Sequence, residues 1–275
     1  MKAQEMKNLK LNYHMLEECN YGCKFCFAEF GNIRHLKAPE MFKVVEKTAT
    51  NGCFSAINFA GGEPFLVKEL PELIKYAKWL GLETSVITNG SRLGKAMLDA
   101  ILPYTDCIGI SIHSFSQVTK RKIGSCSAKG VMLSNEQLKN ICKYVRANSN
   151  CKIKINTVVN AYNKDEILAP FIKELDIDRW KVMRCKLFNN NSPLLISEEE
   201  WKKFIDNNQG VKGSVIEGDM QNSYIIVNPN GDLITEGFHN ASYDRLGSVL
   251  SDDMKSLLAK LPFNNEVYQQ RYGRA

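Results

Sequence analysis

Cys19-Asn-Tyr-Gly-Cys23-Lys-Phe-Cys26 sets three thiols within eight residues, separated first by three positions and then by two. Thiols this close on one loop grip a metal once deprotonated. Four would close a structural zinc site, whereas three suit a cubane [4Fe-4S] cluster with one iron left open to a small chelating molecule. No second Cys-x2-Cys and no His-x3-His completes the set. A zinc site closed by His14 or His35 is the structural alternative. The chain has nine cysteines in all. An odd count with no signal-peptide core at the start argues for reduced thiols over a disulfide scaffold. Cys53, Cys107, Cys142, Cys151 and Cys185 read as buried apolar thiols.

Three further groups carry chemistry. Asn58-Phe-Ala-Gly61-Gly62-Glu63-Pro64 joins two glycines, which let backbone approach a ligand closely, to a carboxylate able to accept from an ammonium group. Read alone, it is equally a tight turn. Lys154 and Asn156 alternate with Ile153 and Ile155, so they share one face of a strand. Arg179 and Lys181 repeat that pattern one strand later. A lysine inside a sheet structure is expensive unless an anion meets it, and three cations on adjacent strands fit a triphosphate. The bland alternative is that these side chains reach the strand ends or pair with Glu63 or Asp178.

The elements that must position these groups alternate. Strands are expected at Leu9–His14, Ala56–Ala60, Thr84–Thr88, Cys107–Ile112, Lys152–Val159 and Trp180–Leu187. Helices are expected at Pro39–Thr50, Leu70–Leu80, Lys95–Leu102, Asn135–Asn148 and Glu166–Leu175. Six βα steps imply a parallel sheet with right-handed crossovers. With functional residues expected at the strand C-termini, a partial barrel fits better than a flat doubly wound sheet. Glu198–Asn207 is a further helix, its acidic start favoured by the dipole. Tyr224–Val227 and Asp232–Thr235 then flank Asn228-Pro-Asn-Gly231 as a hairpin. The expected organisation is a barrel over 1–190, with the cluster loop at 19–26, and a capping extension over 191–275 within one structural domain. Trp79, Trp180 and Trp201 read as packing residues, and His35 and His239 as loop or surface histidines.

The 275 residues carry a formal charge of +6, too mild and scattered for a dedicated nucleic-acid arm and equally suited to an anionic small molecule. At 24% charged and 44% hydrophobic residues the chain is neither disordered nor fibrous. No apolar run approaches 18 residues. The expectation is a cytoplasmic protein with no stable nucleic-acid or membrane binding.

The CxxxCxxC spacing with Phe25 before the last cysteine, followed in order by Gly61-Gly62-Glu63-Pro64, Thr88-Asn89-Gly90 and Ser111, resembles the radical S-adenosylmethionine (SAM) superfamily. The resemblance implies an α/β fold, a partial (βα)6 TIM-like barrel. It implies that Cys19, Cys23 and Cys26 hold a [4Fe-4S] cluster whose fourth iron binds SAM. An electron from the cluster then cleaves SAM to methionine and a 5′-deoxyadenosyl radical. Phe25, Gly61, Gly62, Glu63, Asn89 and Ser111 become the expected SAM contacts.

A narrower set of segments is similar to the viperins and their prokaryotic and fungal relatives: Asn12-Tyr-His14, Ile57 to Leu66, Lys154-Ile-Asn156 with Asn160, Arg179-Trp-Lys-Val182 and Ser223-Tyr224. That likeness covers about Leu11 to Val249. It implies 4′-hydrogen abstraction from a nucleoside triphosphate, usually CTP, and loss of the 3′-hydroxyl as water. The product is a 3′-deoxy-3′,4′-didehydro nucleotide that terminates viral RNA chains. On that reading Asn12, Asn58, Lys154, Asn156, Arg179 and Lys181 meet the substrate. Tyr224 supplies a proton or hydrogen atom, or is simply a core residue of the hairpin. A flavodoxin- or ferredoxin-type donor supplies the electron. Three positions depart from the pattern: Ala56 replaces a basic residue, His113 an aspartate, and Ser125 an arginine that binds cofactor, for which Arg121 or Lys122 would substitute. The rival readings are a radical enzyme acting on a peptide or another nucleotide, and a non-catalytic cluster-binding paralogue. Peptide-modifying members usually carry extra cysteines near the C-terminus, and none follows Cys185.

Overall fold

A computed structural model describes residues 7–28, 33–187, 191–218, 222–235 and 243–272. His239 lies outside them. The described residues form two compact units, the first drawn from 1–18, 28–86 and 219–275, the second from 19–27 and 87–218.

In the first unit β1 (Leu9–His14) pairs in parallel with β2 (Phe54–Ala60), which pairs in parallel with the first residues of β3 (Glu83–Thr88). β1 and β2 are buried along nearly their whole length, the polar Asn12, His14 and Asn58 included. α1 (Ala38–Thr50) follows the expected helical stripe, burying Met41, Val44, Val45 and Thr48. α2 (Leu70–Trp79) buries Leu70, Leu73, Ile74 and Ala77. The expected hairpin is present, with β8 (Ile226–Val227) antiparallel to β9 (Asp232–Ile234) around the Asn228–Gly231 turn. β8 also runs parallel to β1, placing Ile226 beside Asn12, and β9 pairs with β10 (Arg245–Ser248). α8 (Met254–Lys260) and α9 (Asn265–Tyr272) complete the unit. The buried Tyr268 hydroxyl there accepts from the Lys10 N–H at 2.7 Å.

In the second unit β4 (Cys107–Ser111), β5 (Lys152–Val159), β6 (Arg179–Arg184) and β7 (Ser214–Glu217) form a parallel run. α3 (Lys95–Ile101), α4 (Gln117–Lys122), α5 (Asn135–Asn148), α6 (Ala169–Lys173) and α7 (Glu198–Asn207) lie between or beside the strands in sequence. Ser134 and Ser197 cap α5 and α7 through Ser–Gln137 and Ser–Glu200 capping boxes. The acidic start of α7 is thus a helix N-terminus, as expected.

Three expectations are corrected. The helix expected from Glu166 begins only at Ala169, because Asn208 Oδ1 accepts the N–H groups of Leu168 and Ala169 at 2.6 and 3.0 Å and fixes the entry there. The sixth strand stops at Arg184 instead of Leu187. Trp79 is 78% exposed, stacked on Tyr76 with centroids 6.0 Å apart, and is not a packing residue; Trp180 is fully buried. No helix among the described residues is long and apolar enough to cross a membrane.

Candidate active site

The cysteine loop belongs to the second unit. Cys19 is exposed, and Cys23 and Cys26 are partly buried. The Tyr21 N–H and Asn89 Nδ2 donate to Cys19 Sγ at 3.4 and 3.8 Å, while Asn89 also donates to Asn20 Oδ1 at 2.8 Å. Asn89 follows β3, and its own Oδ1 accepts from the Ser91 N–H at 2.9 Å. On the other side of the loop the Gly22 N–H reaches the carbonyls of Gly124 and Cys126 at 3.1 and 3.3 Å, and the Lys24 N–H reaches that of Ile123 at 3.0 Å. A Cβ at Gly124 would stand 1.9 Å from Gly22 O, so only glycine admits this approach. The Phe25 ring meets His113 edge to face at 4.6 Å. Loss of water around the sulfur pushes the Cys23 thiol up to about 12, offset in part by the Ser125 hydroxyl.

The donor set fits a cubane cluster. Three thiols stand on one loop with neutral donors aimed at two of them. Of the other cysteines, Cys142 and Cys151 are pushed to about 12 and Cys185 to about 11 by burial, the behaviour of inert core thiols. Cys53 is buried as well, and Cys107 is half-buried.

One face of the second unit's sheet gathers the expected substrate residues. Strand register sets Gly109, Lys154 and Arg179 in one row and Ser111, Asn156 and Lys181 in the next. Gly109 makes room, since a Cβ there would meet Lys154 Cε at 2.9 Å and Asn156 Nδ2 at 3.3 Å. Lys181 reaches a carboxylate on the neighbouring strand. Its partner is Glu217 on β7, with side chains only 10% and 6% exposed. Asn156 Oδ1 and Arg179 Nε are buried with no hydrogen-bond partner among the described residues. His113, at the end of this sheet, accepts the Val158 N–H on Nδ1 at 3.0 Å and is held neutral by burial, its pKa about 3.

The remaining expected residues lie in the first unit. Asn12 and Asn58 are side by side in register, 6% and 4% exposed. Asn58 Nδ2 donates to Asn12 Oδ1 at 3.2 Å, Ser85 Oγ donates to Asn58 Oδ1 at 2.9 Å, and Asn12 Nδ2 donates to Ile225 O at 3.3 Å. This cross-strand chain already engages both amides. Gly61 and Gly62 approach the protein's own backbone. Cβ atoms there would stand 2.4 Å from Leu16 O and 2.0 Å from Glu18 O, and the Gly62 and Glu63 N–H groups bond those same carbonyls at 2.8 and 2.9 Å. The glycine segment thereby holds the chain immediately before Cys19. Glu63 is fully buried, and its carboxylate accepts the Phe65 N–H at 3.2 Å, capping a short 3-10 turn at Pro64–Leu66. Tyr224 is half-buried between Ser223 and Ile225, both fully buried.

Sequence reasoning missed Glu217, which sits on a strand it did not recognise, and the roles of Gly124 and Ser125 against the cysteine loop. The Gly124-Ser-Cys126 tripeptide was the available signal.

Comparison with known proteins adds to this geometry. The profile of the radical SAM superfamily matches residues 13–175. The chain is 35% identical over 271 residues to an S-adenosylmethionine-dependent nucleotide dehydratase of Selenomonas ruminantium, covering 96% of this chain and 98% of that protein. It is 32% identical to the protein of the same description from Flammeovirga pacifica, covering 96% and 94%. Among solved structures it is similar to SuiB of Streptococcus suis bound to its precursor peptide, with a TM-score of 0.73 and 15% identity over 96% of this chain and 67% of that one. That likeness concerns the fold alone and agrees with the partial barrel and the C-terminal antiparallel strands.

Proposed function

The chain belongs to the radical SAM superfamily and, within it, to the S-adenosylmethionine-dependent nucleotide dehydratases, and on that premise we propose that it converts a nucleoside triphosphate, CTP first among them, to its 3′-deoxy-3′,4′-didehydro analogue. The product would be a terminator of viral RNA chains. The enzyme's cofactors are a [4Fe-4S] cluster and SAM. When bound, they supply an electron and a 5′-deoxyadenosyl radical able to abstract the 4′ hydrogen.

The observation that carries the proposal is the polar face of β4–β6. Arg179 Nε and Asn156 Oδ1 are buried there with no hydrogen-bond partner among the described residues, and an unmet buried polar atom costs about 1–3 kcal/mol. A ligand offering both an anion and donor groups relieves both, and a nucleoside triphosphate has that combination. Arg179 is suited to fork onto phosphate oxygens and Lys154 to act as a point charge beside it.

Cys19, Cys23 and Cys26 would hold the cluster. Phe25, Gly61, Gly62, Glu63, Asn89 and Ser111 are the proposed SAM-binding residues. For Gly61, Gly62 and Glu63 the role includes holding the backbone before Cys19. Asn12 and Asn58 are assigned to the ribose hydroxyls, which they would meet through the remaining amide N–H groups of their chain. Lys181 contributes to the anion site with its charge moderated by Glu217. Tyr224 would deliver the proton or hydrogen atom that closes the reaction, and a flavodoxin- or ferredoxin-type donor would supply the electron. Lowering the barrier here rests on positioning of the radical against C4′.

The test is anaerobic. Protein reconstituted with iron and sulfide is reduced, given SAM and each of CTP, UTP, GTP and ATP in turn, and the products are weighed. 5′-Deoxyadenosine forming in step with CTP losing one water supports the proposal. Dehydration of another triphosphate alone corrects the base. Cofactor cleavage with every nucleotide returned intact refutes a triphosphate substrate. Tyr224→Phe with full turnover would remove that residue from the mechanism.

A further inference from the structure

Position 125 carries a serine, and the structure sets it against the cysteine loop. Ser125 Oγ lies 3.5 Å from Cys23 Sγ, and the residue is 8% exposed. The arrangement is built from both sides. α4 ends in a left-handed Gly124, with the Gly124 N–H bonded to Arg121 O at 3.1 Å and the Ser125 N–H to Lys120 O at 2.8 Å. The residues before and after Cys23 are strapped to the residues around Ser125: Gly22 to Gly124 and Cys126, and Lys24 to Ile123. With backbone bonds on each side, the fold holds the two residues against each other and keeps the hydroxyl within reach of the sulfur.

We propose that Ser125 is a positioning residue that donates its hydroxyl hydrogen bond to the Cys23 sulfur of the bound cluster and thereby raises the cluster's reduction potential. The proposal rests on Cys23 being a cluster ligand. An iron-bound thiolate carries no proton, so the serine must be the donor. Reducing the cluster adds negative charge that spreads onto its sulfurs, so a donor aimed at one of them favours the reduced state over the oxidised. Hydrogen bonds to the sulfurs are among the factors that set such potentials. Asn89, aimed at Cys19 Sγ, is the companion donor on the other side of the loop.

The experiment is a reductive titration of the reconstituted enzyme followed by electron paramagnetic resonance, on the wild type, Ser125→Ala and Ser125→Thr. Ser125→Ala is expected to hold the cluster but to be about tenfold less reduced at a fixed potential, equivalent to about 59 mV for one electron. Ser125→Thr restores the hydroxyl and should return the midpoint toward the wild-type value. A wild-type midpoint in Ser125→Ala overturns the proposal, as does a Ser125→Thr midpoint that follows the alanine variant. If Ser125→Ala takes up no iron while Ser125→Thr loads fully, the hydroxyl is needed to hold the cluster and not to tune it, and the proposal fails. If neither loads, bulk at this position and not the hydrogen bond is what matters, and the proposal fails. Iron content of Cys23→Ala tests the premise separately: full loading would remove Cys23 as a ligand whatever the serine variants show.

Discussion

His14 and His113 are both buried and held uncharged, with pKa values lowered by burial to about 4 and about 3. In the unfolded chain each takes a proton near its ordinary value of 6.5. Below that pH the unfolded state therefore binds more protons, and stability falls as pH drops from about 6.5 toward 4. At 1.36 kcal/mol per pKa unit the full loss is on the order of 3 kcal/mol for His14 and 5 kcal/mol for His113, the latter complete only near pH 3. Urea midpoints at pH 7 and pH 5 should differ clearly in the wild type, and His113→Gln should shrink that difference; an unchanged difference would show that His113 is not the group titrating. Arg179 offers a second test at this scale. Arg179→Gln should raise KM for the nucleotide about tenfold, ~1.4 kcal/mol, with kcat nearly kept, if the guanidinium binds ground state and transition state alike. A large fall in kcat at unchanged KM would place it in the chemical step instead.

Elements position the cysteine loop through glycine contacts that no other residue can make. Gly124 and Gly52 both adopt φ +77°, but a Cβ at Gly124 would stand 1.9 Å from Gly22 O where one at Gly52 would meet nothing within 4 Å. Alanine at either site bears the left-handed strain of about 1–2 kcal/mol, and only Gly124→Ala must also move backbone. Thermal unfolding should show a small loss for Gly52→Ala and a much larger one, with impaired iron uptake, for Gly124→Ala; equal losses would show that the strap to Gly22 is weak. Glu217→Gln leaves Lys181 charged and without its buried carboxylate, a change worth about 3–5 kcal/mol in comparable pairs, readable as a lowered denaturation midpoint. Lys181→Met/Glu217→Leu should recover most of it. These elements also mark what a sequence discloses. β1, β2, β5 and α1 are long enough for their apolar periods to be read. β7 has four residues whose burial runs against their type, Ile216 51% exposed and the Glu217 side chain inside, and Lys181's partner stayed hidden with it. α4, Gln-Val-Thr-Lys-Arg-Lys, has no apolar stripe and is held by its Ser116 cap. The cysteine triplet was legible because its spacing is local. The collision that demands Gly62 involves Glu18, 44 positions away by number (62 − 18), and only the fold brings them together.

Across the whole molecule, none of the nine cysteines is in a disulfide, and cohesion comes from buried apolar side chains and parallel ladders. Within the first unit the segment near residue 268 is tied to the strand that starts at Leu9 through the Tyr268 hydroxyl on the Lys10 N–H. Tyr268→Phe should cost about 1–2 kcal/mol by leaving that N–H unmet, seen as a lower midpoint at unchanged cofactor cleavage; no loss would mean water replaces the hydroxyl. The position of β1 between β2 and β8 has a consequence for how the protein is made. Asn12 bonds to Ile225 across 213 residues, so one edge of the first strand has no partner until nearly the whole polypeptide has left the ribosome. At about 5–20 residues per second that interval is roughly 10–40 s. Throughout it that strand edge is open to pairing with any neighbouring nascent chain, so crowded synthesis is a point at which this fold is exposed to aggregation.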